Sequence, residues 1–220
     1  MKVKLLHYTP LEVADIAICK CYANTPHSEE EKRLKRIRTV ANQNKHASVI
    51  EHLVYSFDID GVSRALLQED ARHRIGSMTV KSTRYTLQEL KNEKPFKEDN
   101  NGCILSTYKD RIQESYDRAS KYLVYTGENI VDWFAIDALE NLRRLIACED
   151  VPNDKAKYCL PEAYKTSYVR TFNARSLQNF LSLRTDRKAL WEIQLLAKAM
   201  FDVLPESHKP LFEEFINAKN

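Results

Sequence analysis

The segment His52-Leu53-Val54-Tyr55-Ser56-Phe57-Asp58-Ile59-Asp60 constrains this chain more than any other. Leu53, Tyr55, Phe57 and Ile59 alternate with polar or smaller partners, which is the period of a strand with one buried face. Gly61 predicts a turn immediately after it. Ser63 can then cap a helix running from Arg64 to about His73. A strand that passes within a few residues into a helix fits neither an all-helical bundle nor a β-sandwich. Late in the chain, Tyr164 to Phe172 again has strand character, through Tyr164, Thr166, Tyr168 and Val169, and a helix is expected from Ser176 to about Arg184.

The remaining segments fill in around these. Met1 to His7 predicts a first strand ended by Pro10, and Leu11 to Tyr22 has helical spacing at Val13, Ile16, Ala17 and Cys21. Ser28 with Glu31 reads as a capping box opening a helix toward Gln43, supported by Glu29/Arg33 and Glu31/Lys35 pairs. Lys91 to Asn101 is charged and proline-bearing, so a surface loop is expected. Asp110 to Glu149 reads as one long helical region, with Trp133, Ile136, Leu139, Leu142 and Ile146 as its core stripe. Pro152 separates it from a short segment ending at Leu160-Pro161. Lys188 to Leu204 predicts a final helix. The expected class is α/β of the α+β kind, a mixed or antiparallel sheet flanked by helices.

With 43% hydrophobic residues over 220 positions, a single domain spanning residues 1–220 is expected. Lys and Arg number 34 against 31 Asp and Glu, too even a balance for a general nucleic-acid coat, so any anion site is a local concentration of charge. No apolar run approaches the length of a membrane span and the N-terminus lacks a long apolar stretch. Cys19, Cys21, Cys103, Cys148 and Cys159 are odd in number and scattered, as expected of reduced thiols in the cytosol. A soluble, cytoplasmic protein is expected.

Three clusters carry the chemistry. The first, RHRIGSMTVKSTRY over residues 72–85, concentrates Arg72, His73, Arg74, Lys81 and Arg84 among hydroxyls. Cations are comfortable at a helix C-terminus, which is one explanation for the Arg-His-Arg run. Yet three neighbouring cationic or titratable groups repel one another unless an anion lies among them. Guanidinium forks plus hydroxyls are what phosphate oxygens require. The second cluster is His46, Ser48, Glu51 and His52. The six-residue histidine spacing does not suit a helix-face zinc site, so hydrogen bonding is the better reading. The basic run Lys32 to Arg38 is interleaved with acids and reads as a solvated face rather than an RNA surface. The third cluster, NARSLQNFLSLR over 173–184, places Asn179 and Leu183 on one helix face, with Arg175 and Arg184 at opposite ends. Taken alone it could equally be an amphipathic core helix.

Together the clusters resemble a known family. Arg72-His73-Arg74, seven residues and Ser82, followed by Arg84-Tyr85, is similar to the signature of the flavin-dependent thymidylate synthases. The resemblance extends through His46-x-Ser48-x-x-Glu51-His52 and through NARSLQNFLSLR to Trp191-Glu192, about residues 40–195. It implies a homotetramer with active sites shared between subunits, which methylates dUMP to dTMP. The carbon donor would be 5,10-methylenetetrahydrofolate, and FAD reduced by NADPH would supply the hydride, with no enzymic cysteine nucleophile. By motif match, His46, Ser48, Glu51, Arg72, His73, Arg74, Asn173, Arg175 and Asn179 would contact FAD. Glu69, Arg72, Val80, Ser82, Thr83, Arg84, Lys157 and Arg184 would contact dUMP, and Arg184 would be the catalytic group, facing the uracil ring. Ser82 lacks an adjacent base with an orienting partner, so phosphate binding is expected of it rather than nucleophilic attack.

Five positions depart from the commoner family pattern. Thr79-Val80 stands where many members carry Asn-Glu, leaving only the Val80 backbone to contribute. Glu69 replaces a frequent glutamine, Lys157 an arginine and Lys188 a histidine. Two other functions fit the same basic residues: a non-catalytic nucleotide- or RNA-binding protein, and a flavin-dependent enzyme that makes a hydroxymethylated nucleotide instead. No partnership with nucleic acid or membrane is expected under the first reading.

Overall fold

The computed structural model describes residues 1–97, 109–149 and 151–216. Its contacts gather into two compact units. The first comprises 1–60, 68–79 and the residues from 167 onward; the second comprises 61–67 and 80–166.

The first unit is built on β1 (Lys2–Tyr8), β2 (Val54–Ser63), β3 (Ser77–Val80) and β4 (Lys165–Asn173), an antiparallel sheet ordered β1-β2-β4-β3. β1 pairs with β2 from Lys2 opposite Asp60 to Tyr8 opposite Tyr55, with a bulge between Leu5 and His7. The alternation read from the sequence is realised in β2, where Tyr55, Phe57 and Ile59 are fully buried. Gly61 does not turn the chain. The strand continues through it at a φ of 72°, and the burial phase slips by one residue so that Val62 follows Ile59 inward. A glycine adopts that left-handed conformation at no steric cost and so permits the slip. The Ser63 hydroxyl then accepts the Leu66 amide at 3.0 Å, capping α3 (Arg64–Ala71) as expected.

Along β4 the even-numbered residues point inward: Thr166, Tyr168, Arg170 and Phe172. An arginine at an inward strand position, 2% exposed, breaks the apolar pattern. α8 (Ala174–Arg184) follows directly, capped by Asn173, whose Oδ1 accepts the Ser176 amide at 2.8 Å. The cap starts the helix two residues earlier than its spacing predicts. α8 packs on α9 (Trp191–Asp202), shorter than the expected 188–204, and on the 3₁₀ turn Ala47–His52. Phe180, Leu177, Ile193, Leu196 and Met200 are fully buried.

α1 (Leu11–Tyr22) matches its expected range but not its expected face: Leu11, Ala14, Asp15, Ile18 and Cys19 are buried, whereas Val13, Ile16 and Cys21 are exposed. The capping box at Ser28 does not form. α2 (Glu30–Ile37) takes Glu29 as its N-cap with no side-chain cap bond, and its backbone then widens into a π-helical stretch, Arg38–Gln43. The expected pairs are replaced because long-range partners win. Arg33 donates to the His27 carbonyl at 2.6 Å and lies 3.8 Å from Glu12, Lys32 takes Glu29, and Arg36 reaches the fully buried Asp15.

In the second unit the long helical region divides into α5 (Lys109–Ala119) and α6 (Asn129–Ala147). Gly127, at a φ of 85°, breaks it, and the buried Asp132 carboxylate accepts the amides of Thr126 and Gly127. Ile136, Leu139, Leu142 and Ile146 of α6 form the expected stripe with Leu87, Leu90, Leu123 and Tyr164, but Trp133 is not in it: half-buried, it lies under the Lys97 ammonium, 3.4 Å from its ring centre. Part of the expected 91–101 surface loop is not surface: Phe96 is fully buried against Tyr122, and its amide donates to Glu140. Residues 98–101 lie outside the described residues. α4 (Thr83–Thr86) and α7 (Asn153–Ala156) complete this unit.

Candidate active site

The Arg-His-Arg run stands just past the C-terminus of α3, which ends at Ala71 rather than near His73. The His73 amide returns to the Asp70 carbonyl at 3.0 Å and the Gly76 amide to Arg74 at 3.1 Å, closing a tight turn. This turn lies against β4 so closely that a Cβ on Gly76 would sit 2.6 Å from the Thr171 carbonyl oxygen and 2.9 Å from the Phe172 ring. Only glycine fits there. The His73 ring packs edge-on against Phe180 at 4.9 Å and against Phe172 at 6.5 Å.

Facing the turn is α8, and between them opens a cavity of about 1180 Å³. Glu51, Arg72, His73, Arg74, Asn173, Arg175, Asn179 and Arg184 all line it, so eight of the sequence-predicted residues from three distant segments share one site. Lys188 lines it as well. His46 and Ser48 do not. They line a separate hollow of about 380 Å³ with Tyr22 and Lys45, and Arg175 borders both spaces. His46 meets the Tyr22 hydroxyl through Nδ1 at 3.2 Å.

Arg184 is the best-fixed group in the cavity. Its Nη1 donates to Glu69 Oε2, its Nη2 to the Glu69 carbonyl and its Nε to His73 Nε2, each at 2.8 Å. The last bond requires His73 Nε2 to be an acceptor and therefore puts the ring proton on Nδ1. The electrostatics agree. Burial, then the charges of Arg184, Arg170 and Arg72, push the His73 pKa down to about 4. His73 is thus neutral, and the expected repulsion among three neighbouring cations does not arise. Arg72 and Arg74 reach outward; the Arg72 side chain is 74% exposed, with Glu69 Oε1 at 3.8 Å.

Sequence reasoning missed Ser176, Ser182 and Asp186 on the α8 side, the exposed Ile75 of the turn itself and Phe172 beneath it. The signal for the first group was present: with Asn179 facing a ligand, helical spacing brings Ser176 and Ser182 to the same face. Nothing in a one-dimensional pattern pointed to Phe172.

The other expected substrate residues belong to the second unit. Ser82 is the N-cap position of α4 and makes no capping bond with its side chain, Thr83 is buried, and the Arg84 guanidinium carbon lies 5.8 Å from the Tyr85 ring centre. The Arg84 carbonyl accepts from Asn153 at 2.8 Å, and Lys157 begins the 3₁₀ turn Lys157–Cys159. Val80 ends β3, a strand that no residue pattern announced.

The family model described as thymidylate synthase complementing protein matches residues 4–208. The chain belongs to the flavin-dependent thymidylate synthases. It is 48% identical over 214 residues to a relative of that name from Wolinella succinogenes, covering 96% of this chain and 97% of the relative. It is 47% identical over 219 residues to one from Campylobacter jejuni, covering 99% and 98%. A crystal structure of thymidylate synthase X from Helicobacter pylori with FAD and dUMP superposes with a TM-score of 0.89 at 44% identity, covering 99% of both chains.

A flavin nucleotide suits the residues that line the cavity. Neither the Arg74 nor the Lys188 side chain has a carboxylate partner among the described residues, and Arg72 is held only at 3.8 Å. Such cations suit the phosphates of a dinucleotide, while Ile75, Leu183 and Ala189 give apolar wall for a ring system.

Proposed function

We propose that this flavin-dependent thymidylate synthase methylates dUMP to dTMP, with FAD as its cofactor and NADPH and 5,10-methylenetetrahydrofolate as co-substrates. The observation that carries the reading is Arg184, a permanent cation pinned by three hydrogen bonds in an arginine-rich cavity. Bound flavin would supply hydride transfer, and the chain's own residues bind, orient and stabilise charge. Arg72, Arg74 and Arg175 neutralise phosphate, Asn173 and Asn179 offer amide donors and acceptors, and His46 and Ser48 extend the cofactor site into the adjoining hollow. Arg184 cannot release its proton, so it stands as a fixed positive charge beside a uracil ring and favours the anionic ring, whose carbon is the better nucleophile. Ser82, Thr83, Arg84, Lys157 and the Val80 backbone hold the nucleotide phosphate and sugar. No step requires Cys19, Cys21, Cys148 or Cys159.

Active sites assembled from several subunits of a homotetramer are part of this reading, as is a single functional domain acting in the cytoplasm. Among the described residues no helix is long and apolar enough to cross a membrane.

The test is an absorption spectrum of the purified protein, then anaerobic titration with NADPH and dUMP and product analysis after adding 5,10-methylenetetrahydrofolate. Flavin bleaching followed by dTMP formation is expected. A protein that cannot be reconstituted with FAD refutes the reading, and a product heavier than dTMP by one oxygen replaces it with hydroxymethylation. Ser82→Ala should raise the KM for dUMP while keeping turnover; full loss of turnover with intact dUMP affinity would return Ser82 to candidacy as a nucleophile.

A further inference from the structure

Beneath the Arg-His-Arg turn lies a buried polar group that no step above uses. Arg170 is 2% exposed and Asp70 is fully buried. Arg170 Nη2 lies 3.1 Å from Asp70 Oδ1 and donates to the His73 carbonyl at 2.7 Å, with a longer contact of 3.3 Å to the Asp70 carbonyl. The Tyr168 hydroxyl donates to the other carboxylate oxygen, Asp70 Oδ2, at 2.7 Å. The guanidinium lies 4.0 Å from the Phe172 ring centre, and its Nε has no hydrogen-bond partner.

A fully buried ion pair is a poor way to stabilise a core, because desolvating two charges offsets much of their attraction and apolar side chains of similar volume do as well or better. An inward strand position that carries arginine with an unsatisfied Nε calls for another explanation. The contact it makes is specific. Among the described residues one hydrogen bond connects Arg170 to the turn beyond α3, and that bond ends on the residue whose ring holds Arg184.

We propose that Asp70 and Arg170 are positioning residues for catalysis: the ion pair clamps the His73 carbonyl and thereby fixes the imidazole that orients the Arg184 guanidinium. Asp70 aims Arg170, Arg170 holds the His73 backbone, and His73 Nε2 receives the Arg184 Nε–H. Tyr168 steadies Asp70 without touching the turn. The catalytic half of this inference rests on the function proposed above; the structural half does not.

The test is the double variant Asp70→Leu/Arg170→Met, which replaces both charges with apolar side chains and leaves no orphaned ion, compared with Tyr168→Phe and wild type. Two readouts are needed. Amide hydrogen exchange of residues 72–76 is expected to accelerate about tenfold or more in the double variant at unchanged global melting temperature, and to stay at the wild-type rate in Tyr168→Phe. In the same samples kcat for dTMP formation is expected to fall roughly 10- to 100-fold in the double variant, with the KM for dUMP changed less than about threefold, as expected when one charge-assisted hydrogen bond to the turn is lost. Unchanged exchange at the turn overturns the clamp. Accelerated exchange with wild-type kcat overturns the positioning role. A wild-type protein that binds flavin and makes no dTMP refutes the function instead, and the clamp then stands or falls on exchange alone. Should the double variant melt early, Arg170→Lys serves: it keeps the charge opposite Asp70, loses the fork, and is expected to show the same two changes in smaller degree.

Discussion

Replacing Arg184 by alanine tests the central electrostatic argument, and its size can be worked from the geometry. A uracil anion held about 4 Å from the guanidinium gains roughly 4 kcal/mol at an effective dielectric near 20, about a thousandfold in rate. Two of the five guanidinium N–H bonds remain outside the contacts to Glu69 and His73, so the charge can face the cavity while its position stays fixed. The fold should tolerate the change. The Glu69 side chain is 33% exposed and can turn to water, so losing its partner costs on the order of 1 kcal/mol rather than the larger penalty of an orphaned buried charge. The assay is dTMP formation under single-turnover conditions beside a flavin titration. We expect kcat/KM about a thousandfold lower, with flavin affinity within about threefold of wild type, because the phosphate-neutralising cations Arg72, Arg74 and Arg175 are untouched. A loss smaller than tenfold would refute the assignment of Arg184 to the ring anion. Wild-type kcat with a raised KM would mean that it binds the ground state only.

Further outcomes follow from neighbouring contacts. Glu69→Gln removes the anion beside Arg184 but keeps an acceptor for Nη1, so activity should be retained or rise, whereas Glu69→Ala should lower kcat/KM at least tenfold; steady-state kinetics on the pair separates charge from orientation. Gly76→Ala places a methyl 2.6 Å from the Thr171 carbonyl, and a melting experiment should report a loss of about 1–3 kcal/mol together with weaker flavin retention. His208 is 1% exposed with Nδ1 2.7 Å from the Tyr55 hydroxyl, and burial pushes its pKa down to about 4. Below pH 6.5 the unfolded chain therefore binds a proton that the folded one refuses. Stability is full above that pH and declines toward pH 4, by up to about 2 kcal/mol at pH 4.5 from this residue. Urea titrations at pH 7 and 4.5 should show a shallower acid loss in His208→Asn; an unchanged slope would remove His208 from the account.

How much of this could be read in one dimension depended on whether the signal was local. β1, α1 and the alternation in β2 were legible because each is written in its own residues. Asn173, Arg175, Asn179 and Arg184 all line one cavity, although helical spacing alone turns Arg184 away from Arg175, and Arg72 to Arg74 came to face them. What failed was set by distant partners. Ser28 lost its cap role where α2 was tied instead by Arg33 to His27 and by Arg36 to Asp15. Gly61, read as a turn, absorbs a phase slip that brings Val62 inward after Ile59, which the residue pattern alone does not show. His73 looked like a third cation, and its neutrality follows from Phe180, Arg170 and Arg184, which are 97 or more positions away. Arg170 is out of character for an inward strand position, but its partners Asp70 and the His73 carbonyl lie about a hundred positions away and could not be read locally.

The border shared by the cavity and the hollow beside it has a thermodynamic meaning of its own. Arg175 stands at that border, paired at 2.7 Å with Glu51, and both side chains are well exposed, at 59% and 44%. A pair so hydrated is worth no more than about 1 kcal/mol, so roughly one molecule in six or more has the contact broken at any instant. The Arg175–Glu51 contact therefore opens at little cost, and for part of the time the guanidinium bordering both spaces is free to meet an anionic group.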